Sequence, residues 1–237
     1  MPDEDFDIER LAAYLHLDAS QVSKLAERGK LPGRKVGGAW RFSSAEIHHW
    51  LEDQIGLSDA EELLRVEEAL DRSGSTEAEE PVSIAESLPQ AAIEIPLGAR
   101  TKNSVITSMA ELAARSGWLW DPAKIVDAVR SREELYPTAL ESGVALLHPR
   151  RPLPGVLERP FLALGRTERG IPFASRRGML TDVFFLILSV DDRGHLRTLA
   201  RLSRLLAAPS FLPELRGAKT AVEALDVIVA HEGAISN

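Results

Sequence analysis

An uninterrupted run of apolar residues, Val183 to Leu188, constrains the fold of this chain more than any other feature. A strand with one wet face alternates apolar and polar residues, whereas a strand covered on both faces is apolar throughout. The segment 182–189 therefore predicts a central strand with helices on both sides of its sheet. From Val82 onward, strand-like and helix-like segments alternate, which favours an α/β fold with a mixed sheet flanked by helices.

The remaining elements of this second half follow from apolar periodicity. We predict strands at 93–95, 144–147 and 161–165, and helices at 102–117, 121–135, 194–206, 210–216 and 219–231. In the helix at 194–206 the leucines share one face, while Arg197, Arg201 and Arg204 share the other. We expect this arginine stripe to be a solvated helix surface.

The strand at 144–147 ends at His148, just before Pro149-Arg150-Arg151. Open α/β sheets build their sites at the carboxyl ends of strands. Histidine is also the side chain whose proton equilibrium lies nearest neutral pH. His148 is therefore the prime candidate for chemistry, and the alternative is a histidine at the sheet edge with no role.

A small module with a different pattern occupies the first 53 residues. Its segments predict two helices joined by a short turn, a hairpin over 34–42 with a Gly-Gly turn, and a third helix that Ser44 caps. This order resembles the excisionase-type, MerR-like winged helix-turn-helix. The residues that carry the resemblance are Leu11-Ala-Ala-Tyr-Leu, Ser20-Gln-Val-Ser-Lys-Leu, Gly29-Lys-Leu-Pro, Val36-Gly, Trp40-Arg-Phe and Trp50-Leu.

The charge of this module agrees with a DNA-binding role. The segment between Ser20 and Phe42 contains six basic residues and a single acid, Glu27, although the whole chain has a net charge of -8. The resemblance implies a recognition helix and a basic wing, and DNA as a partner. The candidate DNA-binding residues are Ser20, Gln21 and Lys24 on the helix and Arg34, Lys35 and Arg41 on the hairpin. The alternative is a basic face used only for protein contacts.

The second half resembles enzyme IIA of the mannitol/fructose/nitrogen type, from the bacterial phosphoenolpyruvate-dependent phosphotransferase system. The matching segments are Arg132-Glu-Glu, the turn at Thr138, Gly143-Val-Ala-Leu-Leu-His, the strand 182–189 and His195-Leu-Arg-Thr-Leu-Ala-Arg-Leu. The resemblance implies that His148 accepts a phosphoryl group from the phosphorylated histidine-containing carrier protein. The family usually has proline before this histidine, where this chain has Leu147.

Three further residues complete the candidate site. Arg132 matches the family pattern, and a guanidinium there would offset charge on the phosphoryl oxygens, as would Arg150 or Arg151. His195 opens a helix, whose partly positive N-terminus disfavours imidazolium and favours a neutral hydrogen-bond donor. A simple helix-capping role for His195 is the alternative, and Thr138 would add a hydroxyl or orient its loop.

Composition limits what else the chain does. Cysteine is absent, and the adjacent His48 and His49 point in different directions on a helix, so we expect no metal centre and no cofactor. The acidic N-terminus is not a signal peptide and no run is long enough to span a membrane, so we expect a cytoplasmic protein without membrane insertion.

We divide the chain into a winged helix-turn-helix domain (1–53), a helix and acidic linker (54–81), and an enzyme-IIA-like domain (82–237). The helix at 57–70 is a possible element of a homodimer. We predict a phosphotransferase-system regulatory protein that binds DNA and accepts or senses a phosphoryl group at His148. Two alternatives stay open: a phosphocarrier of the sugar or nitrogen phosphorelay, or a pseudo-enzyme in which Leu147 has cost the chemistry and the domain only binds partners.

Overall fold

The computed structural model describes residues 5–15, 17–43, 46–47, 50–51, 82–135, 137–173 and 180–235. The chain divides into two compact units, residues 1–81 and 82–237. The predicted helix at 57–70, the acidic linker, Ser44, His48 and His49 lie outside the described residues. Within the described ranges, no helix is long and apolar enough to cross a membrane.

The described part of the N-terminal unit includes two helices and a hairpin. Helix α1 is Ile8–Leu15 and helix α2 is Ala19–Glu27. Strands β1 (Arg34–Val36) and β2 (Ala39–Arg41) pair antiparallel. Residues 46–47 and 50–51 are also helical. Leu11, Val22, Phe42 and Ile47 are fully buried and form its core.

Local chemistry accounts for these bounds. The Gln21 side chain accepts a hydrogen bond from the backbone N–H of Asp18, at 2.9 Å, and so caps the start of α2. Gly29 has a φ of 65°, a left-handed conformation that suits the end of a helix. Gly37 and Gly38 both have positive φ, as a tight two-residue hairpin turn requires.

A four-stranded mixed sheet forms the centre of the C-terminal unit. Its strands are β3 (Ile93–Glu94), β4 (Val144–Leu147), β5 (Phe161–Pro172) and β6 (Leu180–Leu188). The spatial order is β3-β5-β6-β4, in which β4 runs parallel to β6 and β5 antiparallel to it. The apolar run 183–188 therefore lies in an interior strand, and every residue of that run is buried. The predicted mixed sheet is confirmed.

Helices flank this sheet. They are α3 (Lys102–Ala114), α4 (Pro122–Leu135), α5 (Asp192–Ala207), α6 (Phe211–Gly217) and α7 (Ala221–Ile235). Apolar side chains of α3 and α4 pack with residues of β4, β5 and β6 in one hydrophobic core. Pro122 begins α4, where its missing N–H costs no helical hydrogen bond.

The solvated arginine stripe predicted on the helix at 194–206 is wrong. Arg197 and Arg201 are each 6% exposed, and Arg204 is half-buried. The Nε of Arg201 lies 3.4 Å from Oε1 of Glu232, and Arg204 donates to the carbonyl of Ile235. The end of α7 therefore covers the face of α5 that a single-helix pattern assigns to water.

The predicted strand at 161–165 is also too short, because β5 continues to Pro172. Arg166 pairs with Val183, and after an irregularity in register Ile171 pairs with Thr181. The polar residues beyond Gly165 obscure this extension in the sequence. Arg166, Ile171 and Pro172 nevertheless pair with residues of β6, since strand pairing depends on the neighbouring strand as well as on apolar character.

Candidate functional site

Two buried histidines meet where β4 ends and α5 begins. His148 directly follows β4 and is 3% exposed, and His195 is the fourth residue of α5 and is 5% exposed. The centroids of their rings lie 4.9 Å apart, with the planes inclined by 51°. The structure thus brings together the two histidines that the sequence analysis singled out 47 positions apart.

A backbone hydrogen bond fixes the ring of His148. Its Nδ1 lies 2.8 Å from the carbonyl oxygen of Leu146. A carbonyl only accepts hydrogen bonds, so Nδ1 carries a hydrogen and donates it. In a neutral ring the lone pair then lies on Nε2, which is the nitrogen able to attack phosphorus.

The peptide that holds His148 is itself held by the turn at Thr138. The backbone N–H of Leu146 donates to the carbonyl of Thr138 at 3.3 Å. Thr138 in turn donates to Oε1 of Glu133, through its backbone N–H at 3.0 Å and through its hydroxyl. Glu133 is 1% exposed, and its other oxygen lies 3.1 Å from Nζ of Lys102. A buried carboxylate therefore anchors the turn that supports the histidine.

Neither Glu133 nor Lys102 was singled out from the sequence. Glu133 directly follows Arg132 in the segment that carries the family resemblance, and this position was the available signal. Helical periodicity misses it because an acidic residue in a helix is expected on the wet side. Its burial becomes favourable only when Thr138 and Lys102 approach from other elements.

The three candidate arginines lie in different environments. Arg132 is 5% exposed on the last turn of α4, directly before Glu133. Arg150 and Arg151 are exposed on the loop that follows His148. That Arg132 contacts the phosphoryl group stays a prediction. Among the residues that the structure describes, no group of three or more histidines or acids is arranged to hold a metal ion.

Leu147, which takes the place of the family's usual proline, fits the strand. It is fully buried and pairs with Leu186 across β4 and β6. Its side chain joins the hydrophobic core that packs against the sheet. The substitution therefore leaves β4 intact up to the residue before His148.

The start of α5 is capped beside the site. The Asp191 carboxylate accepts the N–H of Gly194 at 2.7 Å, and the N–H of His195 donates to the carbonyl of Asp191. The ring of His195 does not cap the helix, because its Nδ1 lies 3.3 Å from Oγ of Ser189. The helix cap is thus Asp191 rather than the side chain of His195.

The candidate DNA-binding residues lie on α2 and on the hairpin of the N-terminal unit. Ser20, Gln21 and Lys24 are exposed on α2, and Arg34 and Lys35 are exposed on β1. Arg41 is half-buried, and its Nη1 donates to the carbonyl of Trp40 at 3.1 Å. Arg34 is paired with Asp5 at 2.7 Å. The oxygen of Gln21 already caps α2, so any base contact from this residue would use its amide NH₂.

A mixed sheet with a pair of buried histidines at one edge defines an α/β domain of enzyme IIA type. Residues 86–231 match the family model described as phosphoenolpyruvate-dependent sugar phosphotransferase system, EIIA 2. Residues 6–55 match a helix-turn-helix domain model. The chain belongs to the EIIA 2 family and carries an N-terminal helix-turn-helix domain, so both resemblances are confirmed at the level of the fold.

Relatives of known name support this assignment. The chain is 34% identical over 132 residues to a nitrogen regulatory protein of Bradyrhizobium diazoefficiens, which covers 54% of this chain and 84% of the relative. It is 29% identical over 140 residues to the nitrogen regulatory protein of Escherichia coli, covering 56% of this chain and 82% of that protein.

A solved structure agrees with these relatives. The nitrogen regulatory protein IIA-Ntr from Neisseria meningitidis superposes with a TM-score of 0.55 at 25% identity, covering 61% of this chain and 98% of that one. The IIA mannitol domain of Escherichia coli, at 20% identity and a TM-score of 0.52, shares the fold.

Proposed function

We propose that this chain is a phosphotransferase-system regulator that binds DNA through its N-terminal unit and accepts a phosphoryl group at Nε2 of His148. The observation that carries the proposal is the hydrogen bond from Nδ1 of His148 to the carbonyl of Leu146. It leaves Nε2 as the nucleophilic nitrogen, beside a second histidine. The names of the relatives support nitrogen status as the signal.

The donor in this proposal is the phosphohistidine of a carrier protein. The lone pair on Nε2 of His148 attacks phosphorus, and the bond between phosphorus and the carrier's nitrogen breaks with its electron pair left on that nitrogen. The reaction needs positioning and positive charge rather than a cofactor. Arg132 offers a buried guanidinium for the phosphoryl oxygens, and the ring of His195, whose centroid lies 4.9 Å from that of His148, would donate a hydrogen bond to them.

One observation favours a second candidate, a domain that binds partners without being phosphorylated. The Nε2 atoms of His148 and His195 are both buried, so the nucleophile is not displayed to a docking protein in this conformation. Phosphorylation therefore requires a local opening, and the exposed loop around Arg150 and Arg151 is where a carrier would induce it. A chain that never opens this way acts only as a binding partner.

Intact mass measurement after incubation with phosphorylated carrier protein tests the proposal. We expect the wild-type chain to gain one phosphoryl group that is lost in acid, and His148→Ala to gain none. His231→Ala is the matched control, because His231 lies on α7 outside the site and bonds Glu214 instead. A labelled His148→Ala chain would identify a different nucleophile, and an unlabelled wild type would leave the partner-binding candidate.

A further inference from the structure

Ser189 lies behind the histidine pair, at a position that the sequence analysis passed over. It is the first residue after β6 and is 5% exposed. Because β6 pairs with β4, Ser189 and His148 follow neighbouring parallel strands. The hydroxyl oxygen of Ser189 lies 3.3 Å from Nδ1 of His195.

We propose that Ser189 fixes the tautomer of His195 by donating its hydroxyl hydrogen to Nδ1. The ring hydrogen of His195 then resides on Nε2, from which it donates to the phosphoryl group on His148. Ser189 touches neither the donor nor the phosphoryl group and is therefore a positioning residue. The inference rests on the proposed phosphorylation of His148 and assigns a further residue to that site.

Hydrogen-bond accounting supports this direction of donation. A neutral imidazole has one nitrogen that donates and one that accepts. A buried hydroxyl that finds no acceptor for its hydrogen is costly, and Nδ1 of His195 is an acceptor only when the ring hydrogen is on Nε2. The ring also lies in the first turn of α5, whose N-terminus disfavours the charged imidazolium form.

The two histidines are then held in opposite tautomers by neighbouring strands. The carbonyl of Leu146, in β4, keeps the hydrogen of His148 on Nδ1 and its lone pair on Nε2. The hydroxyl of Ser189, after β6, keeps the lone pair of His195 on Nδ1 and its hydrogen on Nε2. The site thereby presents one nucleophile and one hydrogen-bond donor.

Long-range ¹H–¹⁵N spectra of the full-length chain, labelled on histidine nitrogens, measure the tautomer directly. Signals of His195 are assigned by their loss in His195→Gln. We expect the Nε2–H tautomer of His195 in the wild type and a mixture of tautomers in Ser189→Ala. The rate of phosphorylation by the carrier should fall about fivefold in Ser189→Ala, which corresponds to one neutral hydrogen bond. Ser189→Thr keeps the hydroxyl and should restore both readouts.

Ser203→Ala is the matched control, because Ser203 is also a buried serine but lies about two helical turns beyond His195 on α5. It should alter neither the His195 tautomer nor the rate. An unchanged tautomer in Ser189→Ala overturns the inference, and so does an altered tautomer with an unchanged rate. If the wild type accepts no phosphoryl group, the proposed function fails, while the spectra still decide whether Ser189 sets the tautomer.

Discussion

At the scale of single residues, the buried carboxylate of Glu133 is the group that most needs hydrogen-bond and charge partners. It accepts two hydrogen bonds from Thr138 and faces Nζ of Lys102. Glu133→Gln keeps the shape but removes the charge, and it weakens these charge-assisted contacts. We expect the free energy of unfolding of the C-terminal unit to fall by about 2–3 kcal/mol. The unfolding transition of this unit in urea measures the change.

The neighbouring Glu134 provides the control for this experiment, because it is exposed on the same turn of α4. Glu134→Gln should change the free energy of unfolding by less than about 0.5 kcal/mol. Equal effects of the two substitutions would mean that the Glu133 network does not stabilise the turn before β4. The position of His148 would then need another explanation.

The two histidines and the supporting Thr138 were predictable from the sequence, whereas Glu133 and Ser189 were not, for a physical reason. His148 directly follows an apolar strand, and His195 lies near a helix start that is predicted by the sequence Asp191-Asp192-Arg193-Gly194. Glu133 and Ser189 acquire their roles from groups on other elements. A sequence pattern reports the periodicity of one element, so it does not identify which polar side chains find partners across the core.

At the scale of elements, α7 contacts the first turn of the C-terminal unit, at residues 83–85. Glu232 accepts hydrogen bonds from the backbone N–H groups of Ile84 and Ala85, at 2.7 and 3.0 Å, and from the hydroxyl of Ser83 at 3.0 Å. The same carboxylate faces Arg201 of α5. One side chain therefore links three segments that are far apart in the sequence.

Removing this carboxylate should loosen the first turn of the unit. In Glu232→Ala we expect the amide hydrogens of Ile84 and Ala85 to exchange about tenfold faster, because each loses a charge-assisted hydrogen bond. Hydrogen exchange followed by NMR or mass spectrometry measures this. Asp226→Ala, on an exposed position of α7, is the control and should leave the exchange unchanged. Unaltered exchange in Glu232→Ala would show that other contacts hold the turn.

The same contacts explain why the arginine stripe on α5 was mispredicted. Three arginines spaced along one helical face are typical of a solvated surface when the helix is considered alone. In the folded chain α7 lies against that face and supplies Glu232 and the carbonyl of Ile235 as partners. The error came from the tertiary neighbour, which periodicity does not report, while the bounds of α5 were predicted within two residues.

At the scale of the whole molecule, the chain joins two folds that each have their own core, and the proposed function assigns DNA binding to the first. Full-length protein should bind duplex DNA with an affinity that falls steeply with salt, since each neutralised phosphate contributes about -0.9 to the log–log slope. Lys24→Ala should weaken binding and reduce that slope by about 1. Fluorescence anisotropy across a salt series measures both.

Lys124→Ala is the matched control for charge, because Lys124 is exposed on α4 of the other unit. It changes the net charge equally and should leave the affinity and the slope unaltered. Binding that does not depend on salt would contradict a basic DNA-contacting face. Equal losses in the two variants would instead indicate a nonspecific effect of net charge.

The last prediction concerns communication between phosphorylation and DNA binding. A phosphoryl group adds up to about two negative charges, here beside the exposed Arg150 and Arg151. The sequence between the two folds is acidic, with Glu77, Glu79 and Glu80, so we expect the added negative charge to alter the electrostatic interaction of this segment with the rest of the chain. Couplings between sites are typically about 1–3 kcal/mol, so the DNA affinity of the full-length chain should change at least about fivefold on phosphorylation.

Neutralising the three linker acids together, as Glu77→Gln, Glu79→Gln and Glu80→Gln, should shrink this change. The control replaces three exposed acids of the C-terminal unit with glutamine, so that its net charge equals that of the linker variant. Those residues are Glu111, Glu134 and Glu168. Equal shrinkage in both triple variants would assign the coupling to overall charge rather than to the linker. Identical DNA affinity of the phosphorylated and unphosphorylated wild type, across a salt series, would reject the switch and favour a phosphocarrier tethered to DNA.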